Sequence, residues 1–331
     1  MLGWLLVCAL AAPLFPPPHL PVLSEKRAHF LAHASELDAV FIGSSRVYRG
    51  FVPQVFDAEM RARGHPIRSF NFAMEAVWPP ESFFRVREFL RLRSRVRWVF
   101  IELLPVNPRI TPDNARTLRA IYWHDWRHTA LAWRQIASEG AFSAGEKRAW
   151  LALHAGLFLR RLSNVSRAAA LLEARLRPEL ESAARKEFAF NTPWIAGDGF
   201  VPEPAAPMSP ATAAAFRQQV AAYAQNLAPV ALPELLRNEL RDLAATVRAA
   251  GAVAIFVVTP STTRAENFAG LRAQGIDADL LSFKDPARFP ALYDPPLHFD
   301  GPHLNERGAR EFSRLLAEQA AALLERAPRS Q

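Results

Sequence analysis

Three residues of this sequence, Ser45, Asp300 and His303, have types and spacing that favour nucleophilic chemistry. A serine hydroxyl becomes an effective nucleophile only when a base takes its proton, and histidine is the usual base. A carboxylate on the other ring nitrogen of that histidine fixes its tautomer and stabilises the imidazolium. Asp300 and His303 are three positions apart, so they can form such a pair on one short loop. The set predicts acyl transfer through a serine ester, with Ser45 as nucleophile, His303 as base and Asp300 as its orienter.

Each of these residues also has a structural alternative. A serine in a strand-to-helix turn is commonly a helix cap, and either Ser44 or Ser45 fits that role. Asp300 fits the cap of a turn, His303 fits a satisfied polar contact, and His298 is a competing candidate for the base. The catalytic interpretation depends on the whole set, because a triad requires all of its members.

The elements that must position these residues are strands and helices in alternation. Five short runs have the composition of buried strands, at 39–42, 67–72, 98–103, 253–258 and 280–283. Apolar residues at helical spacing occur at 51–63, 81–93 and 305–326. The alternation predicts a parallel sheet covered by helices on both faces, with its functional site at the carboxyl ends of the strands. Ser45 directly follows the first strand, which places it at that edge.

The segment between the third and fourth strands has almost no strand-like pattern. It covers residues from about 112 to 250 and is mainly helical in pattern. Neither flank of this segment has enough strands to form a sheet alone. We therefore expect one α/β domain at 36–331, interrupted by a helical insertion at about 112–250.

Two blocks of the sequence resemble the SGNH (GDSL-like) hydrolase superfamily. Gly-Ser-Ser-Arg at 43–46 is similar to the Gly-Asp-Ser block that ends the first strand of that family, in the form found in envelope-associated members. Asp-Gly-Pro-His-Leu-Asn-Glu-Arg-Gly at 300–308 is similar to the Asp-x-x-His-Leu-Asn-x-x-Gly block before the last helix. The resemblance implies a flavodoxin-like, three-layer α/β/α fold with a five-stranded parallel sheet.

The resemblance also implies an oxyanion hole, formed by the backbone N–H groups of Ser45 and Ala76 together with Asn107. Ala76 occupies a position that is glycine in the family. A backbone donor needs no particular side chain, so alanine is acceptable there if the turn avoids positive φ. Asn107 matches the family asparagine only with a shift of one residue. Arg46 and Trp78 are candidate substrate contacts.

The expected function follows from this resemblance. Anchored relatives act on O-acyl groups of cell-envelope polysaccharides, which implies a serine-dependent esterase or O-acyltransferase acting on acyl esters, above all acetyl esters, of cell-envelope carbohydrate. Water as acceptor gives hydrolysis and a sugar hydroxyl gives transfer, and the residues do not decide between them. Neither a metal nor an organic cofactor is needed. The competing expectation is an inactive SGNH-like scaffold that binds a glycan or an envelope assembly partner.

A rival site is present at 124–128, where the sequence is His-Asp-Trp-Arg-His. Two histidines one helical turn apart resemble a zinc protease helix with Asp in place of Glu. No third ligand of suitable spacing follows them. An amphipathic helix is therefore the favoured interpretation.

The first 24 residues contain no charged side chain and are nearly all apolar as far as Phe15. This pattern predicts an export signal or a membrane anchor, and hence a membrane-anchored protein on the periplasmic side of the cell envelope. The apolar run is shorter than the roughly 20 residues of a spanning helix, so a buried N-terminal helix is the alternative. The single cysteine, Cys8, lies in this segment, which excludes an intrachain disulfide.

The net charge of +8 fits an anionic partner in principle. However, the arginines alternate with acidic residues along predicted helices, and no nucleic-acid-binding module is recognisable. The pattern favours a solvated basic surface over a nucleic-acid partner.

Overall fold

The computed structural model of the chain describes residues 18–92, 95–164, 197–203 and 208–326, together with Gly3, Val7, Cys8, Ala168, Arg175 and Leu176. The chain divides into two compact units. The sheet unit comprises residues 26–77, 86–105 and 193–331, and the helical unit comprises residues 1–25, 78–85 and 106–192. Ser45, Asp300 and His303 all belong to the sheet unit.

The sheet unit is built on five short parallel strands. Their bounds are β1 Ala39–Ile42, β2 Ser69–Asn71, β3 Trp98–Glu102, β4 Val253–Val258 and β5 Asp279–Ser282. They lie in the order β2-β1-β3-β4-β5, and every pairing is parallel. The predicted α/β class and five-stranded parallel sheet are confirmed. The order is compatible with a flavodoxin-like α/β/α fold, in which ligands bind where the carboxyl ends of β1 and β3 diverge.

Helices separate and cover the strands. The described helices are α1 Pro21–His33, α2 Ser45–Gly50, α3 Pro53–Ala62, α4 Glu81–Leu90, α5 Pro112–Ala115, α6 Leu118–Trp123, α7 Trp126–Ser138, α8 Ala144–Leu162, α9 Pro210–Ala224, α10 Glu234–Ala249 and α11 Glu306–Arg326. Short 3₁₀ turns occur between β4 and α11. The predicted helical insertion at about 112–250 includes α9 and α10. In the structure both helices lie in the sheet unit, and α10 packs on β4.

One face of the sheet is covered by α2, α3 and α11. Phe41 of β1 and Phe100 of β3 are register partners, and their rings stack with centroids 4.2 Å apart. Phe51, which follows α2, stacks on Phe41, and Phe56 of α3 meets the same ring edge-on at 5.2 Å. All four rings are buried, and each contributes about 1.5–3 kcal/mol to stability. This aromatic cluster fixes the helix that begins at Ser45 to the sheet.

The opposite face of the sheet is covered by α1, α4 and α10. Phe30 of α1 contacts Phe70 of β2 at 6.2 Å and Phe89 of α4 at 4.9 Å between ring centroids. Arg87 of α4 forms an ion pair with Glu239 of α10 at 3.2 Å, which places these two helices side by side. Helices therefore cover both faces of the sheet, as the alternating pattern predicts.

The helical unit contains α5 to α8, and each of these helices begins at a side-chain cap. The capping residues are Thr111, Thr117, Asp125 and Ser143, and each accepts a backbone N–H from the first turn. Ala120, Ile121 and Leu157 form a buried apolar cluster among these helices. The predicted helical pattern beyond residue 164 lies outside the described residues as far as residue 196, apart from Ala168, Arg175 and Leu176.

The predicted signal or anchor segment lies mostly outside the described residues. Of its first 17 positions the structure describes Gly3, Val7 and Cys8. Cys8 is buried, and its carbonyl oxygen accepts a hydrogen bond from Asn164 Nδ2 at 2.5 Å. Within the described part of the chain, none of the helices has both the length and the apolar character needed to cross a membrane. The anchor stays a prediction.

Candidate active site

Ser45 is the first residue of α2, immediately after the turn that follows β1. Ser44 is the N-cap of this helix, since its buried Oγ accepts the N–H of Arg46 at 3.3 Å. The helix-cap alternative therefore applies to Ser44. The half-buried hydroxyl of Ser45 makes a different contact, with a histidine from the other end of the chain.

Gly43 permits a close approach between this turn and β3. A Cβ atom at position 43 would lie 2.6 Å from Val47 Cγ2 and 2.8 Å from Glu102 Oε2. The carbonyl oxygen of Gly43 also accepts the N–H of Met74 at 3.2 Å. The segments after β1 and β2 and the end of β3 thus meet at one edge, and any side chain at position 43 would push them apart.

Asp300 and His303 lie on the loop before α11. Asn305, just before the helix, and Gly308, in its first turn, allow this loop to pack closely against the helix. Asn305 Nδ2 donates to a backbone carbonyl of this loop at 2.9 Å, and its Oδ1 accepts the N–H of Gly308 at 3.1 Å. A Cβ atom at position 308 would lie 2.1 Å from the carbonyl oxygen of Leu297. The asparagine and glycine of the second block therefore have a structural role, which is to fix the loop that carries His303.

The structure brings Ser45, His303 and Asp300 together at the carboxyl edge of the sheet. Ser45 Oγ lies 2.9 Å from His303 Nε2, within the reach expected for a nucleophile and its base. His303 Nδ1 lies 2.9 and 3.0 Å from the two carboxylate oxygens of Asp300. When Nδ1 donates its proton to Asp300, Nε2 is left to accept the proton of Ser45. The side chains of His303 and Asp300 are 24% and 43% exposed, so solvent and substrate can reach the pair.

Asp300 has a second contact, with the backbone of the same loop. Its Oδ1 accepts the N–H of His303 at 2.7 Å, which is the turn-capping bond of the structural alternative. Capping and orienting the imidazole are therefore both present in one side chain. A substitution that keeps the cap and removes the charge separates the two roles.

His298, the competing base, is engaged elsewhere. It is buried, and its Nε2 is 2.9 Å from the carbonyl oxygen of Leu292. Burial lowers the pKa of its imidazole. The ring of Phe216 packs against it at 4.5 Å between centroids. Its surroundings are those of a structural histidine, and the contact with Ser45 is made by His303.

The backbone at Ala76 lies in the left-handed region. Its φ is 54°, so the condition under which alanine is readily accepted at this position is not met. This left-handed conformation costs a residue with a Cβ atom about 1–2 kcal/mol, which explains why glycine suits the position. The neighbouring Glu75 holds the turn against α2, because its Oε1 accepts Arg49 Nε at 2.9 Å. The oxyanion role of the Ser45 and Ala76 N–H groups stays a prediction.

A buried lysine stabilises the segment after β2. Lys26 Nζ donates to the carbonyl oxygens of Asn71, Ala73 and Gly199 at 2.8, 2.7 and 2.9 Å. Burial lowers the pKa of this ammonium well below its usual value. Asn71 Nδ2 in turn donates to the Phe51 carbonyl oxygen at 2.9 Å, just after α2. These bonds tie the end of β2 to the helix that carries Ser45.

Asn107 and Trp78 belong to the helical unit. Asn107 Oδ1 accepts the N–H of Arg109 at 3.0 Å, and its own N–H donates to the Pro79 carbonyl oxygen at 2.9 Å. Trp78 is 37% exposed. Their roles as oxyanion donor and substrate contact stay predictions.

Arg46 is directed into the protein. Its side chain is 7% exposed, forms two hydrogen bonds with Glu266 and lies 3.4 Å from Glu102. This placement does not agree with the predicted substrate contact, because the carboxylates of Glu266 and Glu102 already contact the guanidinium of Arg46. The placement favours a structural role beside Ser45.

Three buried residues that contact the turn at 43–46, directly or through one another, are missing from the candidates predicted from the sequence. They are Glu102, Glu266 and Lys284. The sequence contains one signal for them, since Glu102 ends the apolar run of β3 next to the strand that leads to Ser45. Glu266 and Lys284 occur in segments without a recognisable motif, and only the fold shows that they lie near Arg46.

The histidines at 124 and 128 have separate partners. His128 Nδ1 contacts Asp125 Oδ1 at 2.6 Å, and His124 Nε2 lies 2.8 Å from Nδ1 of His154. In the part of the chain that the structure describes, no group of three or more His, Cys, Asp or Glu side chains is arranged to hold a metal ion. The two histidines do not share one helix, which corrects the predicted one: His124 follows the end of α6, Asp125 caps α7, and only His128 lies within α7.

Gly308→Ala should destabilise the protein by about 1–3 kcal/mol, the range typical of overpacking. The added Cβ would meet the Leu297 carbonyl oxygen at 2.1 Å. The matched control is Gly156→Ala in α8, where a Cβ meets nothing within 4 Å and should stabilise the helix by up to about 1 kcal/mol. Denaturant unfolding of both variants measures the difference. Equal stability of the two would contradict the close approach of α11 to this loop.

Comparison with models of known protein families finds no match to the chain, and comparison with curated proteins finds none either. The geometry of Ser45, His303 and Asp300 is therefore the main guide to function.

Proposed function

We propose that this protein is a serine-dependent esterase or O-acyltransferase of the SGNH type, acting on acyl esters, above all acetyl esters, of cell-envelope carbohydrate. One observation carries the proposal, the contact chain from Ser45 Oγ to His303 Nε2 at 2.9 Å and from His303 Nδ1 to Asp300 Oδ2 at 2.9 Å. An activated serine of this geometry is the shared feature of enzymes that transfer acyl groups through a serine ester.

The first half of the reaction forms the acyl-enzyme. Ser45 Oγ attacks the carbonyl carbon of the ester while its proton passes to His303 Nε2, and Asp300 stabilises the imidazolium that results. The negative charge on the former carbonyl oxygen is received by backbone N–H groups, for which Ser45 and Ala76 are the candidates. The carbon–oxygen bond to the alcohol then breaks, and the alcohol leaves with the proton from Nε2.

The second half releases the acyl group. His303 Nε2 takes a proton from water or from a sugar hydroxyl, whose oxygen attacks the acyl carbon and displaces Ser45. Water yields the free acid and a sugar hydroxyl yields a new ester. In either case the serine regains its proton from His303, and the enzyme returns to its starting state.

The SGNH type is supported by the position of the triad in the fold. The nucleophile follows β1, the acid and base precede the final helix, and the five strands have the flavodoxin-like order. The carbohydrate substrate and the envelope location come from the resemblance of the two sequence blocks to envelope-associated members of the family. The apolar segment at 1–24 is consistent with that location.

Labelling with a fluorophosphonate probe tests the proposal without knowledge of the substrate. Such a probe reacts with activated serines, so the wild-type protein should be labelled at Ser45 and Ser45→Ala should lose the label completely. Ser44→Ala is the matched control, because it removes the helix cap at a cost of about 1 kcal/mol and leaves the nucleophile in place. Mass spectrometry of the labelled peptide identifies the residue.

A wild-type protein that folds but takes no label would contradict the proposal. A non-catalytic scaffold that binds a glycan or an assembly partner would then be the better explanation. Labelling that persists in Ser45→Ala and disappears in Ser44→Ala would identify Ser44, rather than Ser45, as the nucleophile.

A further inference from the structure

Four buried charged side chains form a network next to the turn that carries Ser45. They are Glu102, Arg46, Glu266 and Lys284, whose side chains are 0%, 7%, 3% and 1% exposed. Two are cations and two are anions, so the network is neutral as a whole. Charges this deeply buried are rarely found without partners, because desolvation of an unpaired ion costs several kcal/mol.

One end of the network contacts the turn directly. Glu102 Oε2 accepts the backbone N–H of Ser44 at 2.6 Å, one residue before the nucleophile. Glu102 Oε1 accepts the hydroxyl of Thr259 at 3.2 Å and lies 3.4 Å from Arg46 Nε. The carboxylate therefore connects β3, the end of β4 and the turn that leads into α2.

Arg46 holds the other side of the nucleophile. Its two terminal nitrogens donate to the two oxygens of Glu266 at 2.8 and 2.9 Å, a bidentate pair with defined geometry. Burial alone would raise the pKa of Glu266, but the hydrogen bonds and charge of Arg46 outweigh burial and lower it. Ser45 thus lies between two residues, Ser44 and Arg46, that are each bound to a buried carboxylate.

The far end of the network has different partners. Lys284 Nζ donates to Ser261 Oγ and to the Thr263 carbonyl oxygen, both at 3.1 Å, and lies 3.7 Å from Glu266. Burial lowers the pKa of Lys284 to about 8. Its hydrogen bonds fix the segment after β4. Lys284 therefore connects Glu266, the partner of Arg46, to the segment after β4.

We infer that Glu102 and Arg46 are positioning residues that hold Ser45 Oγ in line with His303. A buried ion pair seldom adds net stability over well-packed apolar residues, so its value here is geometric. The nucleophile begins a six-residue helix, and the anchors at Phe51 lie beyond the carboxyl end of that helix. The network adds a constraint at the amino-terminal turn, through the residues on either side of Ser45. This inference rests on the proposed function, because it concerns the reactivity of Ser45.

The test is the rate of fluorophosphonate labelling in Glu102→Gln. The glutamine amide keeps the volume and an oxygen that can accept the Ser44 N–H, and it removes the charge that Arg46 faces. We expect the second-order labelling rate to fall by about 100-fold, the scale associated with a displacement of about 1 Å at a reacting group. Glu239→Gln is the matched control, because it makes the same change at a buried glutamate of α10 that pairs with Arg87 on the opposite face of the sheet. It should lower the melting temperature but keep the labelling rate within about twofold of wild type below that temperature.

A second variant keeps the test decisive if Glu102→Gln does not fold. Arg46→Lys preserves the charge but cannot form the bidentate pair with Glu266 together with the contact to Glu102. It should fold and should also label slowly. The double variant Glu102→Gln with Arg46→Lys should lose much less than the product of the two single losses, because both act on one geometry.

Wild-type labelling rates in folded Glu102→Gln and Arg46→Lys would overturn the inference. So would an equal loss of rate in Glu239→Gln, since Glu102 would then act only through general stability. Absence of labelling in the wild-type protein would refute the proposed function, and the positioning role with it. This outcome can be told apart from failure of the positioning role alone, because it is seen in the wild-type protein without any variant.

Discussion

His303→Gln should lower the turnover number for hydrolysis of a chromogenic acetate ester by about 10⁶-fold, the scale for loss of the base from a serine triad. The imidazole Nε2 is the group 2.9 Å from Ser45 Oγ, and a neutral amide cannot take the serine proton. Binding of the ester should change little, because the lost interaction develops during the reaction. Steady-state kinetics on the purified variant measure both quantities.

The control for this variant is His65→Gln, a histidine at the surface of the sheet unit whose ring lies 3.8 Å from Glu325. Its turnover should equal that of wild type. Substantial hydrolysis by His303→Gln would contradict the assignment of the base. His298→Gln would then be the next variant to measure, since His298 lies on the same loop.

The second large effect is expected in Asp300→Asn, with turnover about 10⁴-fold below wild type and almost no change in stability. An amide can hold His303 in the tautomer that protonates Nε2, and it cannot stabilise the imidazolium. Folding should be retained because the asparagine Oδ1 can still accept the N–H of His303, as Asp300 Oδ1 does at 2.7 Å. Melting temperature and ester hydrolysis are measured on the same preparation.

Asp300→Ala distinguishes the two roles of this side chain further. Alanine loses the cap as well as the charge, so both stability and turnover should fall, with about 1 kcal/mol lost for the cap. Unchanged hydrolysis at unchanged stability in Asp300→Asn would leave Asp300 as a cap. His303 would then need another orienter.

The strands could be predicted from the sequence because each coincides with a short, β-type run bounded by polar or turn residues. Predicted and observed bounds agree for β1 and β4, and they differ by one or two residues at the ends of the other three. The predicted end at Phe72 is an example, since β2 ends at Asn71, whose side chain turns to bind the backbone after α2. Polar side chains near a strand end can compete for the backbone, and this competition depends on tertiary contacts.

The proximity of Ser45, Asp300 and His303 could also be predicted, because two motifs at the same edge of a parallel sheet must lie close together. The rest of the site could not. The positive φ of Ala76 depends on the contacts that hold the two ends of its turn. The residues around Ala76 in the sequence do not indicate these contacts. The network of Arg46, Glu102, Glu266 and Lys284 combines residues from separate segments, none of which forms a motif alone.

Ser45 and His303 are separated by 258 positions along the chain. During synthesis Ser45 emerges when most of the sheet is still missing, and His303 comes with α11, which packs on α2 and α3. Contacts of such long range form slowly. Under the proposed function, a nascent or partly folded chain therefore carries an ordinary, unreactive serine. The serine would become reactive when α11 docks, and we expect the labelled fraction of a preparation to report the fraction of chains that have completed folding.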